Sequence, residues 1–195
     1  MKEANYYNQL PENYKIVKVI DAKNKKTSIM FILVNLVLTG AALAIGLYLM
    51  YREYGRFNYD YLAVLLLLAS FIAYIVLHEL VHGLFYKIFT HQKLTFGFTL
   101  TVAFCGVPKL YVSRKTAIVT TLAPFTVFSI IFLLLVFIVP VESIKLLFVV
   151  LFAFHLGGCV GDLYGAIYMI FNHTKEKMLI NDTGPTQTFF CKEDK

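Results

Sequence analysis

Four long apolar runs dominate this chain and limit the folds open to it. They cover residues 29–51, 61–90, 116–139 and 144–171. A helix rises about 1.5 Å per residue, so each run is long enough to cross a hydrocarbon core of roughly 30 Å. Backbone groups in lipid must be satisfied within the segment itself, which favours helices over extended structure. The sequence therefore predicts an all-α polytopic membrane protein with four transmembrane helices.

The composition agrees with a membrane protein. The 195 residues are 58% hydrophobic, and the mean hydropathy of +0.68 is too high for an ordinary soluble domain. A net charge of +6 could indicate a nucleic-acid partner, but the Lys and Arg residues cluster beside the apolar runs and form no basic stripe. We therefore expect a lipid bilayer as a partner and no nucleic acid, and the oligomeric state stays open.

The basic residues also predict an orientation. The loops at 52–60 and 140–145 have little basic excess, whereas five basic residues lie at the end of the second run or in the loop after it: Lys87, Lys93, Lys109, Arg114 and Lys115. By the positive-inside rule, both termini and the 91–115 loop then lie in the cytoplasm of a multi-pass cell-membrane protein. Residues 1–28 form a cytoplasmic or interfacial arm without a cleavable signal, and residues 172–195 form a cytoplasmic tail.

Two stretches outside the runs alternate apolar and polar residues, as strands do. One lies at 14–20 and predicts an interfacial strand in the N-terminal arm. The other lies at 94–102 and is followed by a turn signal at 105–108, so we expect a small cytoplasmic-side β-hairpin over about 94–112, with 109–112 as the return strand. Such a hairpin either offers an open backbone edge or lies on the membrane surface without a partner.

The second run contains the pattern His78-Glu79-x-x-His82. Residues four apart share one helix face, so two imidazoles can bind one metal ion while Glu79 reaches a water bound to it. Such a residue pattern is typical of a zinc hydrolase, in which one more protein ligand completes the site. Each ionisable group at bilayer depth costs about 2.5–3.5 kcal/mol, which a bound cation would offset. The pattern predicts one Zn²⁺ with Glu79 as the catalytic base, and a structural polar cluster or a proton relay is the alternative.

The fourth run offers two candidates for the third ligand, Asp162 and His155. They lie about 10.5 Å apart along a straight helix, so one ion cannot bind both. Counted from the cytoplasmic helix ends, Asp162 lies at the depth of the motif, whereas His155 lies about 7 Å beyond His78. We therefore predict Asp162 as a ligand, with a hydrogen-bonded structural carboxylate as its alternative. His155 is expected to hydrogen-bond near the site or to replace Asp162 as a ligand.

Several stretches of the chain resemble a known family. They are HELVHG at 78–83, the threonine-rich hairpin, LAP at 122–124 and GCVGDL at 158–163. Together they are similar to a bacterial family of zincin peptidases that is distantly related to the site-2 intramembrane metalloproteases. The resemblance implies that His78, His82 and Asp162 bind zinc, that Glu79 is the base and that a strand near the membrane holds substrate. The Asn-Pro-x-x-Asp-Gly form common in site-2 proteases is absent around Asp162.

These observations predict a zinc-dependent intramembrane metalloprotease that cleaves peptide bonds in or near membrane segments. Its partner would be a membrane-protein or membrane-peptide substrate, unwound and paired with the strand by strand addition. The residues expected to bind this substrate are Thr95, Phe96, Gly97, Phe98, Thr99, Leu100 and Thr101. A non-enzymatic membrane protein for metal binding or transport is one alternative, and a catalytically silent membrane adaptor is another.

Overall fold

The computed structural model describes residues 4–56, 61–98, 103–172 and 177–193. Within them the chain forms five helices: α1 (Lys25–Tyr54), α2 (Tyr61–Thr90), α3 (Arg114–Ile138), α4 (Glu142–Gly158) and α5 (Val160–Phe171). Helices α1, α2 and α3 are each long and apolar enough to cross a membrane, and α4 with α5 makes a fourth span if the bent pair counts as one. The chain is therefore mostly helical, with the character of a membrane protein.

The described residues also form seven strands: β1 (Tyr6–Tyr7), β2 (Tyr14–Asp21), β3 (Thr95–Phe98), β4 (Ala103–Gly106), β5 (Tyr111–Ser113), β6 (Met178–Asp182) and β7 (Thr186–Lys192). Five of them form an antiparallel sheet in the order β1-β5-β6-β7-β2, and β3 pairs with β4 in a second sheet. The prediction of an all-α protein with one hairpin was wrong in this respect. The sheet joins strands from both ends of the chain, and such long-range pairing leaves no local signal.

The C-terminal segment was predicted as a polar tail, but it supplies β6 and β7. Strand β6 is a central strand, and its consecutive residues Met178, Leu179 and Ile180 are all buried. A strand covered on both faces shows a continuous apolar run and no alternation. Alternation of apolar and polar residues therefore identified β2 but not β6.

The hairpin differs from its prediction in its return strand. Thr95 pairs with Gly106, and Phe98 pairs with Ala103, whereas the predicted return strand around 109–112 contributes to β5 in the other sheet. The residues of the predicted turn at 105–108 instead form the end of β4 and the segment after it. There the amide of Val107 donates to the carbonyl of Asp182 at 2.8 Å. Residues 99–102 lie outside the described part of the chain.

The fourth apolar run was predicted as one helix and is broken at Cys159. The two pieces, α4 and α5, are bent by 47° relative to each other. Three glycines surround the break, and glycine is among the weakest helix formers: Gly157, Gly158 and Gly161. A Cβ at Gly157 would collide with Thr39 and Asn35 of α1. This glycine therefore permits the close approach of α4 to α1.

The chain folds as two compact units. One comprises residues 30–78 and 125–160, and aromatic side chains around Tyr74, Phe128 and Phe132 pack in its interior. The other comprises the described parts of residues 1–29, 79–124 and 161–195. Both sheets belong to it, and Tyr86 and Phe189 are almost wholly buried there. Helices α1, α2, α3 and α5 each contribute residues to both units.

Candidate metal centre

Helix α2 carries the whole His-Glu-x-x-His pattern without interruption. His78 and His82 lie one turn apart on the same face, and they are only 9% and 8% exposed. Many other side chains of this helix are exposed, including Leu77 and Leu80 beside the motif. The two histidines therefore lie on a buried face of α2, whereas these leucines lie on an exposed face.

Each of the two ring nitrogens of His82 lies near an oxygen atom of another residue. Its Nδ1 lies 2.9 Å from the carbonyl oxygen of Thr120, and its Nε2 lies 3.4 Å from a carboxylate oxygen of Asp162. A carbonyl can only accept, so Nδ1 carries a proton and donates it to Thr120. In the neutral ring the lone pair of Nε2 then faces a carboxylate. A cation between these two atoms, whether a metal ion or a second proton on Nε2, would turn that repulsion into attraction.

The first candidate ligand group consists of His78, His82 and Asp162. One ligand atom from each residue lies within 4.8 Å of the others. Two imidazoles and one carboxylate are the protein ligands of many catalytic zinc sites, which keep a further position open. The side chain of Asp162 is 21% exposed, so the protein does not close the group off completely on that side. The residues present therefore fit a zinc ion in both donor type and proximity.

His155 is fully buried at a different place, among aromatic rings in the unit that contains Tyr74. Its Nδ1 lies 2.9 Å from the Tyr74 hydroxyl, while its Nε2 lies 3.2 Å from the carbonyl oxygen of Phe125 and 3.0 Å from the Ser129 hydroxyl. The carbonyl accepts from Nε2, so Nδ1 accepts from Tyr74. Both ring nitrogens of His155 are thus engaged in hydrogen bonds.

The Tyr74 hydroxyl connects His155 to the motif. It lies 3.2 Å from Nδ1 of His78, and because its proton points to His155, its oxygen accepts the Nδ1 proton of His78. His78 then carries its lone pair on Nε2, like His82. Tyr74 precedes His78 by four residues, so helical spacing in the sequence could have identified it, and it was missed.

A second candidate ligand group consists of His78, His155 and Cys159, whose ligand atoms also lie within 4.8 Å of one another. The Sγ atom of Cys159 lies 3.5 Å from Nδ1 of His155. A metal at this place would compete with the hydrogen bond between Tyr74 and His155. Both candidate groups contain His78, but the second group contains neither His82 nor Asp162.

The two-stranded sheet lies against α2 directly after the motif. A Cβ placed on Gly83 would lie 2.7 Å from Phe96 and 3.1 Å from Leu94, so glycine is what allows this approach. On the partner strand, burial raises the pKa of the Cys105 thiol to about 12, and the charge of Glu79 contributes to the shift. The predicted substrate residues Thr95, Phe96, Gly97 and Phe98 form β3. Thr99, Leu100 and Thr101 lie outside the described residues.

Asp182 is a buried carboxylate at the end of β6, in the segment that was predicted as a tail. It accepts hydrogen bonds from the Tyr86 hydroxyl at 2.6 Å and from the Gly184 amide at 2.8 Å. Burial raises the pKa of Asp182 to about 6, although both hydrogen bonds lower it. Tyr86 lies one turn after His82 on α2. The pair therefore ties the end of the motif helix to the five-stranded sheet.

Comparison with known proteins identifies a family for this chain. Searches of curated proteins and of solved structures found no match. A protein-family model described as "Putative zincin peptidase" matches residues 71–176, which is just over half of the chain. The match confirms the resemblance to zincin peptidases that the sequence indicated, and the family implies metallopeptidase activity and zinc. The chain therefore belongs to the putative zincin peptidase family.

Proposed function

We propose that this protein is a zinc-dependent intramembrane metallopeptidase of the site-2 type. The observation that carries the proposal is the pair formed by His82 on α2 and Asp162 on α5, 3.4 Å apart, on helices apolar enough to lie in a membrane. His82 lies within the candidate span, eight residues before α2 ends at Thr90. A peptidase site at this position would meet substrates in or near the bilayer.

The five-stranded sheet supports the proposed four spans and their orientation. It pairs the N-terminal strand β2 with the C-terminal strand β7, and it pairs β5 with β6. Strand β5 precedes α3 and β6 follows α5, so a chain that crosses at α3 must return through α4 and α5. Both termini and the loop before α3 then share one side, and the basic residues of that loop favour the cytoplasm. Labelling single cysteines in the 52–60 and 91–115 loops of intact cells tests this orientation.

His78, His82 and Asp162 would hold the metal in this proposal. When bound, zinc would polarise the scissile carbonyl and lower the pKa of a water to about 7. The Thr120 carbonyl holds the ring of His82 in place through its hydrogen bond to Nδ1. Glu79 accepts a proton from the attacking water, whose oxygen bonds to the carbonyl carbon. As the carbon–nitrogen bond breaks, Glu79 passes that proton to the leaving amine.

Strand β3 is the proposed binding site for the unwound substrate. A helical substrate has its own carbonyls hydrogen-bonded, and an open strand edge offers replacement partners during unwinding. Among the described residues β3 pairs only with β4, and it lies against α2 one turn after Glu79. Proline placed in turn at Thr95, Phe96 and Gly97 should impair cleavage at alternate positions. A uniform lack of effect in folded, zinc-loaded variants would contradict substrate pairing here.

Metal analysis of the purified protein beside two variants tests the central proposal. The wild type should hold one zinc, His78→Ala should lose it, and Glu79→Gln should keep zinc while losing peptidase activity. Equal zinc content in wild type and His78→Ala would end the metal-site hypothesis. Full peptidase activity in Glu79→Gln would exclude Glu79 as the base. Zinc-dependent transport without any peptide cleavage would instead favour the metal-transport alternative.

A further inference from the structure

Pro124 lies inside α3, which continues on both sides of it from Arg114 to Ile138. In an α-helix the amide of residue 124 would donate to the carbonyl of residue 120, but proline has no N–H. The proline ring also pushes that carbonyl outward, because the two would otherwise collide. Pro124 therefore leaves the Thr120 carbonyl without its helical donor.

The carbonyl freed by Pro124 is the one that holds His82. This carbonyl accepts a hydrogen bond from Nδ1 of His82 at 2.9 Å. Thr120 is fully buried. The Thr120 hydroxyl donates elsewhere, to the carbonyls of Thr116 at 2.9 Å and Ala117 at 3.0 Å. The side chain and the carbonyl of Thr120 thus serve different partners, and only the carbonyl reaches the candidate metal centre.

Without this acceptor, the His82 ring has an attractive alternative. Its Nε2 lies 3.4 Å from Asp162, so a proton on Nε2 would make a hydrogen bond to the carboxylate. The proton on Nε2 would then occupy the position at which a metal ion needs a lone pair. The acceptor on the opposite side of the ring decides between the two tautomers.

We propose that Pro124 is a positioning residue for metal binding: by freeing the Thr120 carbonyl, it fixes His82 with its proton on Nδ1 and its lone pair toward Asp162. The inference rests on the proposed metal site, and it assigns a function to a proline whose sequence position indicates only a helix kink. The missing N–H of Pro124 leaves the Thr120 carbonyl available to His82, which explains why a proline lies inside a helix that could span a membrane.

The first test is the zinc affinity of Pro124→Ala in the full-length protein. The new amide competes for the Thr120 carbonyl, so zinc should bind about 10-fold more weakly, within the 10–100-fold range typical of partners that orient metal ligands. Thermal unfolding of the metal-free variant should occur at the same or a higher temperature, since alanine suits a helix better than proline. Pro140→Ala makes the same chemical change beyond the end of α3 and should bind zinc like the wild type. Unchanged affinity in folded Pro124→Ala would overturn the proposal.

The second test needs no metal, and its wild-type measurement does not depend on whether the variant folds. Nitrogen-15 NMR of the metal-free wild type should show Nδ1 of His82 protonated and hydrogen-bonded, whether or not Nε2 also binds a proton, and Pro124→Ala should weaken that Nδ1 hydrogen bond. An unprotonated Nδ1 in the wild type would overturn the inference. A wild type that binds no zinc, yet has Nδ1 of His82 protonated and hydrogen-bonded, would overturn the proposed function and the role in metal binding, and would leave Pro124 only as the residue that frees an acceptor for His82.

Discussion

The two candidate ligand groups differ in what their hydrogen bonds leave available for a metal. In the group of His82 and Asp162, the Thr120 carbonyl occupies Nδ1 and leaves Nε2 beside a carboxylate. In the group of His155 and Cys159, both nitrogens of His155 already have hydrogen-bond partners in neutral side chains or backbone. The first group presents negative charge to a cation, whereas the second presents a satisfied neutral network.

This difference shows that residue type and proximity do not by themselves define a metal site. Both groups meet the same distance condition of 4.8 Å and both contain His78. A buried polar group that is fully hydrogen-bonded has little to gain from a metal, while a lone pair facing a carboxylate has much to gain. The comparison predicts that zinc binds at Asp162 and that His155 supports His78 through Tyr74.

The largest expected effect separates the two groups directly. Asp162→Asn should weaken zinc binding by more than about 100-fold, beyond the usual effect of residues that only orient ligands, because a neutral amide replaces the charged oxygen. Peptidase activity should be lost with the zinc. Cys159→Ala is the matched change in the second group and should retain zinc. Zinc content measured in both purified variants decides, and a loaded Asp162→Asn beside a zinc-free Cys159→Ala would reverse the assignment.

The next effect concerns the stability of the second group. His155→Ala removes a fully buried ring that contacts Phe125 and Phe132, so the free energy of unfolding should fall by about 2–5 kcal/mol. The variant should nevertheless bind zinc, since Asp162 and both motif histidines remain. Thermal unfolding and zinc content are measured on the same sample. A zinc-free but folded His155→Ala would make His155 a ligand.

Asp182 provides a comparison with Asp162, because it is a buried carboxylate outside both groups. Its folded-state pKa is raised from 3.8 to about 6, so the folded protein binds a proton more tightly than the unfolded chain. The free energy of unfolding should therefore fall as pH rises from about 4 to about 6, by up to about 3 kcal/mol at 1.36 kcal/mol per pKa unit. Asp182→Asn should flatten this part of the stability profile. An identical pH dependence in wild type and variant would contradict the assignment.

The smallest effect tests the connection between the groups. Tyr74→Phe removes the hydroxyl that bridges His78 and His155, so zinc affinity should fall by about 10-fold, as for other groups that orient a metal ligand. Tyr111→Phe makes the same change in β5 and should bind zinc like the wild type. Competition titration with a zinc chelator measures both. Equal affinities in the two variants would show that His78 needs no such support.

The sequence predicted the features that depend on local chemistry. Helix α2 has the predicted bounds of 61–90 because its apolar run is long and uninterrupted. The placement of Asp162 beside His82 followed from counting helical rise, and this worked although the fourth run is broken, since Asp162 lies on the piece nearer the C-terminus. The roles of these residues in binding metal stay predictions.

Long-range pairing explains what the sequence could not predict. Strands β2 and β7 lie at opposite ends of the chain, and β6 is buried on both faces, so neither partnership nor periodicity is visible locally. Residues that hold the histidines were missed for a similar reason. Thr120 acts through its main-chain carbonyl, which every residue type possesses, and no side-chain pattern marks it.

By itself, then, the sequence determined that the chain is apolar enough for several membrane spans and that two histidines and a glutamate share one helix. Those properties follow from composition and from the 3.6-residue period of a helix. Only the tertiary structure decided which nitrogen of each histidine is left open, because that depends on hydrogen bonds from His82 to the Thr120 carbonyl, from His78 to the Tyr74 hydroxyl and from that hydroxyl to His155. The helical period places a side chain on a face, and the partners that meet it there decide where its proton lies.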